Sequence, residues 1–184
     1  MRSLIISLIL LVSFGHLEAQ KGNCSFDIGG AFTQSLSSNY KSGGSYGFNF
    51  SCGISPKGSV YFNARTSNLQ SKLSDSLDIY FYELNLGYKS LLGSSQFFLY
   101  GDGGLCIAKP TNSKSLAGMG LSLGAGYKFR ISKSTYVTLS SGYNSVFMNS
   151  GNISWFNIAF SAGLGLKNIK DLLRPSTRKA KGKK

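Results

Sequence analysis

GMGLSLGAGYKFRISKSTYVTLSSGYN, residues 118–144, contains two strands and the turn that joins them. Up to Phe129 the odd positions read Met119, Leu121, Leu123, Ala125, Tyr127 and Phe129. The even positions read Gly118, Gly120, Ser122, Gly124, Gly126 and Lys128. A strict period of two with one apolar and one tiny or polar face is the signature of a β-strand. After the polar Ile-Ser-Lys-Ser turn, Tyr136 to Tyr143 repeats the alternation with Val137, Leu139 and Tyr143 on the apolar side. The stretch is a β-hairpin with one wide apolar face.

What that face touches separates two architectures. In a soluble sandwich it packs on a second sheet; in a membrane-spanning barrel it meets lipid while the small polar side fills a narrow lumen. From Cys24 onward the same alternation gives eight strands, at 24–33, 44–55, 58–66, 78–90, 95–107, 116–131, 134–145 and 153–166. Connections after the first, third, fifth and seventh strands read as long and polar, and those after the even strands as short. Tight turns at one end and longer loops at the other are the asymmetry of an eight-stranded antiparallel up-and-down transmembrane β-barrel. Abundant glycine, scarce proline and frequent aromatics agree with an all-β chain.

Charge placement separates the two architectures more sharply. With Phe26, Ile28, Phe48, Leu84, Leu86, Leu99, Ile158 and their like-parity neighbours facing lipid, Asp27, Arg65, Glu83, Asp102 and Lys128 all take the opposite parity. An Arg or Lys facing mid-bilayer costs about 2–4 kcal/mol, so charges belong in the lumen, where they pair with one another. Glycines 118, 120, 124 and 126 leave room for inward Tyr61, Phe98, Tyr100 and Tyr136, and the lumen is expected to be filled by side chains. On the apolar face, Tyr88, Phe97, Tyr127 and Phe129 lie toward the turn end, and Phe32, Tyr46, Tyr80, Tyr143 and Phe156 toward the loop end. Two such aromatic girdles are expected where rings meet head groups.

Residues 1–19 carry Arg2, an apolar run from Leu4 to Phe14 and a small residue at Ala19, the layout of a signal peptide cleaved before Gln20. Cleavage would remove His16, the only histidine. That argues against a histidine triad, a histidine metal site or a histidine pH switch, and no metal or cofactor is expected. Cys24, Cys52 and Cys106 are too few and too scattered for a disulfide scaffold or a metal cluster. Cys24 and Cys52 fall near the same end of neighbouring strands, which leaves open either one bridge or three small apolar residues. Gly101 to Gly104 lacks the spacing of a phosphate-cradling loop. With carboxylates deep inside and no rim constellation, the chain reads as a non-enzyme.

The hairpin residues Gly124-Ala125-Gly126-Tyr127-Lys128-Phe129, Ser132 to Leu139 and Gly142-Tyr143-Asn144 resemble the late hairpin of the small outer-membrane β-barrel domain proteins, porin-like and of the OmpA/OmpX eight-stranded type. That resemblance implies residence in the outer membrane and assembly by the barrel-assembly machinery, which reads an aromatic residue at the end of the last strand. Here the last strand runs from Trp155 to Leu166 and an extension follows.

That extension, residues 167–184, holds eight basic residues against Asp171 and reads as a disordered tail in the periplasm. Residues 20–166 form the barrel. Much of the net charge of +13 sits in the tail, so the basic balance does not point to nucleic acid. The expected partners are outer-membrane lipid and lipopolysaccharide, whose phosphates Lys41, Lys72, Lys109 and Lys114 would neutralise, with the chain itself a monomer. The expected role is structural, surface-interacting or that of a narrow pore. The alternative is a soluble secreted lipocalin-like barrel binding a small apolar ligand, with the two faces inverted.

Overall fold

The computed structural model describes residues 23–72, 78–93, 96–149 and 151–166. The signal-peptide segment and the basic tail lie outside the described residues. Eight strands follow in order: β1 Cys24–Ser35, β2 Gly43–Gly53, β3 Gly58–Leu69, β4 Ile79–Leu91, β5 Phe97–Pro110, β6 Leu116–Arg130, β7 Thr135–Met148 and β8 Gly151–Leu166. Each pairs antiparallel with its neighbours in sequence, and β1 closes on β8 from Cys24↔Leu166 to Ser35↔Trp155. The result is a closed up-and-down barrel, in which no strand edge is left to template aggregation.

Tight turns mark one end. Between β6 and β7 the Ser132 hydroxyl oxygen accepts from the Ser134 and Thr135 amides at 3.2 and 3.0 Å, and Arg130 donates to the Ser132 and Lys133 carbonyls. Between β4 and β5 the backbone turns at Gly93, whose φ of 65° suits glycine. At the other end the first two loops are tied together. Tyr40 bridges Ser71, the Lys41 amide donates to the Gln70 carbonyl at 2.7 Å, and the Lys72 amide donates to the Asn39 carbonyl at 3.0 Å.

One connection differs from the sequence reading. The link after β7 is not long, because the β7–β8 ladder continues to Met148↔Gly151 and leaves only residues 149–150 between the strands. Gly151 takes a φ of 131°, a conformation that lets the chain reverse there. The loop-end asymmetry therefore rests on residues 36–42 and 70–78, while 111–115 is no longer than the 92–96 turn at the opposite end.

Side-chain parity sets the two faces. Phe26, Ile28, Phe48, Leu84, Leu86, Leu105, Leu123, Ile158 and Phe160 are exposed on the outside. Inside, at the loop end, Leu69, Ile79, Phe81, Cys106, Ala108, Val146 and Trp155 form a buried apolar cluster. The Phe81 and Trp155 rings stack with centroids 4.9 Å apart. This plug was not anticipated from the sequence; its side chains pack together at the loop end much as a soluble core does.

Cys24 and Cys52 stand opposite one another in the β1–β2 register and are disulfide-bonded, leaving Cys106 as the free, buried thiol. Denatured without reductant, the chain should therefore add one maleimide-polyethylene glycol, and three after reduction. Three additions without reductant would show that the bridge is absent.

Candidate functional site in the barrel lumen

Charged residues sequestered from water persist only when paired or hydrogen-bonded. Arg65 on β3 and Glu83 on β4 are direct register partners. The guanidinium reaches the carboxylate through two bonds, Nε to Oε1 at 3.2 Å and Nη2 to Oε2 at 2.7 Å, and Nη2 also donates to the Ser122 hydroxyl at 3.2 Å. The Arg65 and Glu83 side chains are 11% and 1% exposed, so this ion pair is shielded from bulk solvent. Glycine makes this approach possible at position 120, where a Cβ would sit 3.3 Å from Glu83 Oε2.

Asp102 on β5 is held separately. It accepts from the Tyr61 hydroxyl at 2.8 Å and from the Asn85 amide at 2.9 Å. Asp27 and Lys128 lie nearer the turn end and join neither group. Lys128 Nζ lies 3.4 Å from the centroid of the Tyr136 ring. Asp27 is buried, and its carboxylate lies beside the Tyr136 side chain over Gly163. The five charged positions read from the sequence thus divide between a central ion pair, a hydrogen-bonded acid and two turn-end groups.

Lys89 is the inward charge that the sequence reading missed. It shares the parity of Glu83 on β4, and that parity was the signal available. Its ammonium sits 4.8 Å from the Phe98 ring centroid and 5.5 Å from that of Tyr61, a cation–π arrangement that replaces a carboxylate partner. Counting Lys89, the lumen holds Arg65, Lys89 and Lys128 against Asp27, Glu83 and Asp102, and these charges cancel.

Below the apolar plug lies a cavity of about 140 Å³, lined by Asp27, Asn49, Tyr61, Asn63, Arg65, Lys89, Phe98, Tyr100, Asp102 and Asn157, with Tyr46, Phe48, Phe160 and smaller residues completing the wall. Its size depends on glycines under the rings. A Cβ at Gly126 would come 2.5 Å from Phe98 Cζ, and one at Gly124 would come 2.5 Å from Tyr100 Cζ. Gly126→Val is therefore expected to destabilise the barrel by about 1–3 kcal/mol through overpacking. Urea unfolding in detergent micelles measures it, and Phe98→Leu in the same chain should recover part of the loss.

The nine girdle residues of the sequence reading all face outward. Phe32, Tyr46, Tyr80, Tyr88, Phe97, Phe129, Tyr143 and Phe156 are exposed, while Tyr127 is half-buried and packs on Phe129 at 4.6 Å. The Tyr143 hydroxyl donates to Ser154 at 2.9 Å. Among the described residues no three His, Cys, Asp or Glu side chains converge as metal ligands would.

No protein-family model matches the chain, and no curated protein sequence does. Solved structures do resemble it in fold. The attachment invasion locus protein Ail of Yersinia pestis superposes with a TM-score of 0.57 at 17% identity, covering 80% of this chain and all of that one. The same protein in complex with the heparin analogue sucrose octasulfate gives 0.52 at 17% identity, with 80% and 100% covered. The N-terminal β-barrel domain of Pseudomonas aeruginosa OprF gives 0.50 at 11%, covering 79% of this chain and 98% of that one. The chain has the fold of the small eight-stranded transmembrane barrels of the outer membrane.

Proposed function

We propose that the protein is an integral outer-membrane barrel, closed to solute flow, that serves a structural and surface-interaction role rather than catalysis. The observation that carries this reading is the exposed outer belt on β4, from Tyr80 through Tyr82, Leu84 and Leu86 to Tyr88, with Glu83 buried at the opposite parity. Eight residues of rise at about 3.3 Å each, tilted by about 40°, span roughly 20 Å, close to the apolar height of such barrels. A soluble barrel with an apolar ligand inside would need the inverse arrangement, so the faces speak against the lipocalin-like alternative.

Several other features agree with this placement. The aromatic residues bounding the belt would meet the head groups, the signal peptide would direct export, and the tail would remain in the periplasm. The Cys24–Cys52 bridge suits an oxidising compartment. Lys41 and Lys72, whose loops are tied by backbone hydrogen bonds, would contact lipopolysaccharide phosphates at the outer surface. The plug of Trp155, Phe81 and Leu69 supports a closed lumen, and the barrel would be assembled by the outer-membrane machinery and act as a monomer.

Carbonate extraction with heat-dependent gel migration tests the membrane placement, and planar-bilayer recording of the refolded protein tests the closure. The expected result is retention with membranes, a heat-shifted band and no unitary current steps. Release into the soluble fraction would overturn the first part, and steady channel events the second.

A further inference from the structure

The cavity beneath the plug has acceptor atoms with nothing to accept from. Asn157 is 4% exposed, lines the cavity and has an Oδ1 atom without a hydrogen-bond partner, while Asp27, 6% exposed and also on the wall, has the Tyr136 side chain beside its carboxylate over Gly163. Asn49, also on the wall, has an unpaired Oδ1 as well. Buried polar atoms left unpaired are costly, and a group of them around one void marks a place where donors belong. The wall supplies a donor of its own at Lys89, Arg65 being held by Glu83 and Ser122, and the lumen charges balance, with Arg65, Lys89 and Lys128 against Asp27, Glu83 and Asp102. A charged guest would upset that balance. A guest rich in both donors and acceptors, and neutral, would fit it.

Access has one direction. Toward the loop end the lumen is stoppered by Phe81, Trp155, Leu69 and Val146, each fully buried. Toward the turn end lie the buried rings of Phe98 and Tyr136 with the Lys89 and Lys128 ammonium groups over them, and both lysines remain partly exposed. A long side chain moves more readily than a packed aromatic plug.

We propose that this chamber is a blind binding site for small neutral polyhydroxy solutes, entered from the turn end, with Asn49 and Asn157 accepting from the guest's hydroxyls and Lys89 donating to them. A volume of about 140 Å³ admits several waters or one guest of glycerol's size and excludes a disaccharide. The proposal goes beyond the closed-barrel reading, since a blind chamber binds without conducting, and it holds whichever compartment the turn end faces.

Saturation-transfer NMR on the whole refolded protein, with glycerol and sucrose as separate probes, tests it. Saturation should reach glycerol and not sucrose. Asn157→Leu should weaken glycerol binding by about tenfold, the effect of losing a buried hydrogen bond, and Ala159→Leu, which fills the chamber without removing a polar group, should abolish it. Heat-dependent gel migration checks that each variant is folded. No transfer to glycerol from the wild-type protein would overturn the proposal, as would equal transfer to both probes, which would indicate surface adsorption. Because the size comparison uses the unaltered chain, it decides the matter even if a variant misfolds.

Discussion

Glu83→Ala is expected to destabilise the folded barrel by about 3–5 kcal/mol, read as a lowered urea midpoint for the protein in lipid vesicles. The magnitude is set by the unpaired charge left behind. Arg65 would keep its guanidinium inside the cylinder at 11% exposure, with the Ser122 hydroxyl as its remaining hydrogen-bond partner. Asp102 lines the same cavity but is already bound by Tyr61 and Asn85, so it offers only partial compensation and sets the lower end of the range. Removing both charges should be far milder. A protein carrying Arg65→Met together with Glu83→Leu is expected within about 1–2 kcal/mol of the wild type, because replacing a buried pair by apolar groups is often neutral. The two single variants and the double form a cycle whose coupling isolates the pair. A loss below about 0.5 kcal/mol for Glu83→Ala would place Arg65 in contact with bulk water and remove the premise of a shielded lumen. The variant should also stay silent in planar bilayers, since the Phe81–Trp155 plug lies above the ion pair and does not depend on it.

The strands and faces were legible because a two-residue period and a strict separation of charge from apolar surface leave few alternatives. Asp27, Arg65, Glu83, Asp102 and Lys128 all face inward in the structure because their parity already opposed that of Leu84, Leu123 and Ile158. Three features needed the register. The Cys24–Cys52 bridge depends on those residues being direct cross-strand partners, which strand boundaries alone do not fix. The short link at residues 149–150 depends on how far β7 and β8 continue to pair, and polar Asn149 and Asn152 read locally as loop. The inner apolar plug ran against the expectation of a polar lumen. It arises because the strands continue to the level of Ile79, Ala108 and Trp155, where the narrow cylinder closes over apolar side chains. Lys89 was different, since its parity was available and only its place near the end of β4 hid it.

Leu84→Arg is the second large effect, at about 2–4 kcal/mol in vesicles, and it separates a lipid-facing belt from an ordinary exposed surface. Leu84 is 54% exposed and lies midway between Tyr80 and Tyr88 on the outer face of β4, with Ala64 and Leu105 as cross-strand neighbours. On a water-facing surface, exchanging so exposed a leucine for arginine would change stability by no more than about 0.5 kcal/mol. In hydrocarbon the guanidinium must drag water inward or stretch toward the head groups, and the cost depends on depth. The depth dependence is therefore a stronger criterion than the size of one value. Tyr88→Arg, at the turn-end margin of the belt, should cost only about 0–1 kcal/mol beyond its packing loss, and Ser90→Arg, one outward position further along, still less. Tyr88→Ala supplies the packing reference. A profile that peaks at position 84 and falls toward 90 assigns the outer face to lipid, because no property of the folded barrel alone distinguishes these like-facing sites in that order. Equal small effects at all three would mean that water bathes the whole face, and the membrane placement would have to be abandoned even with the barrel fold intact.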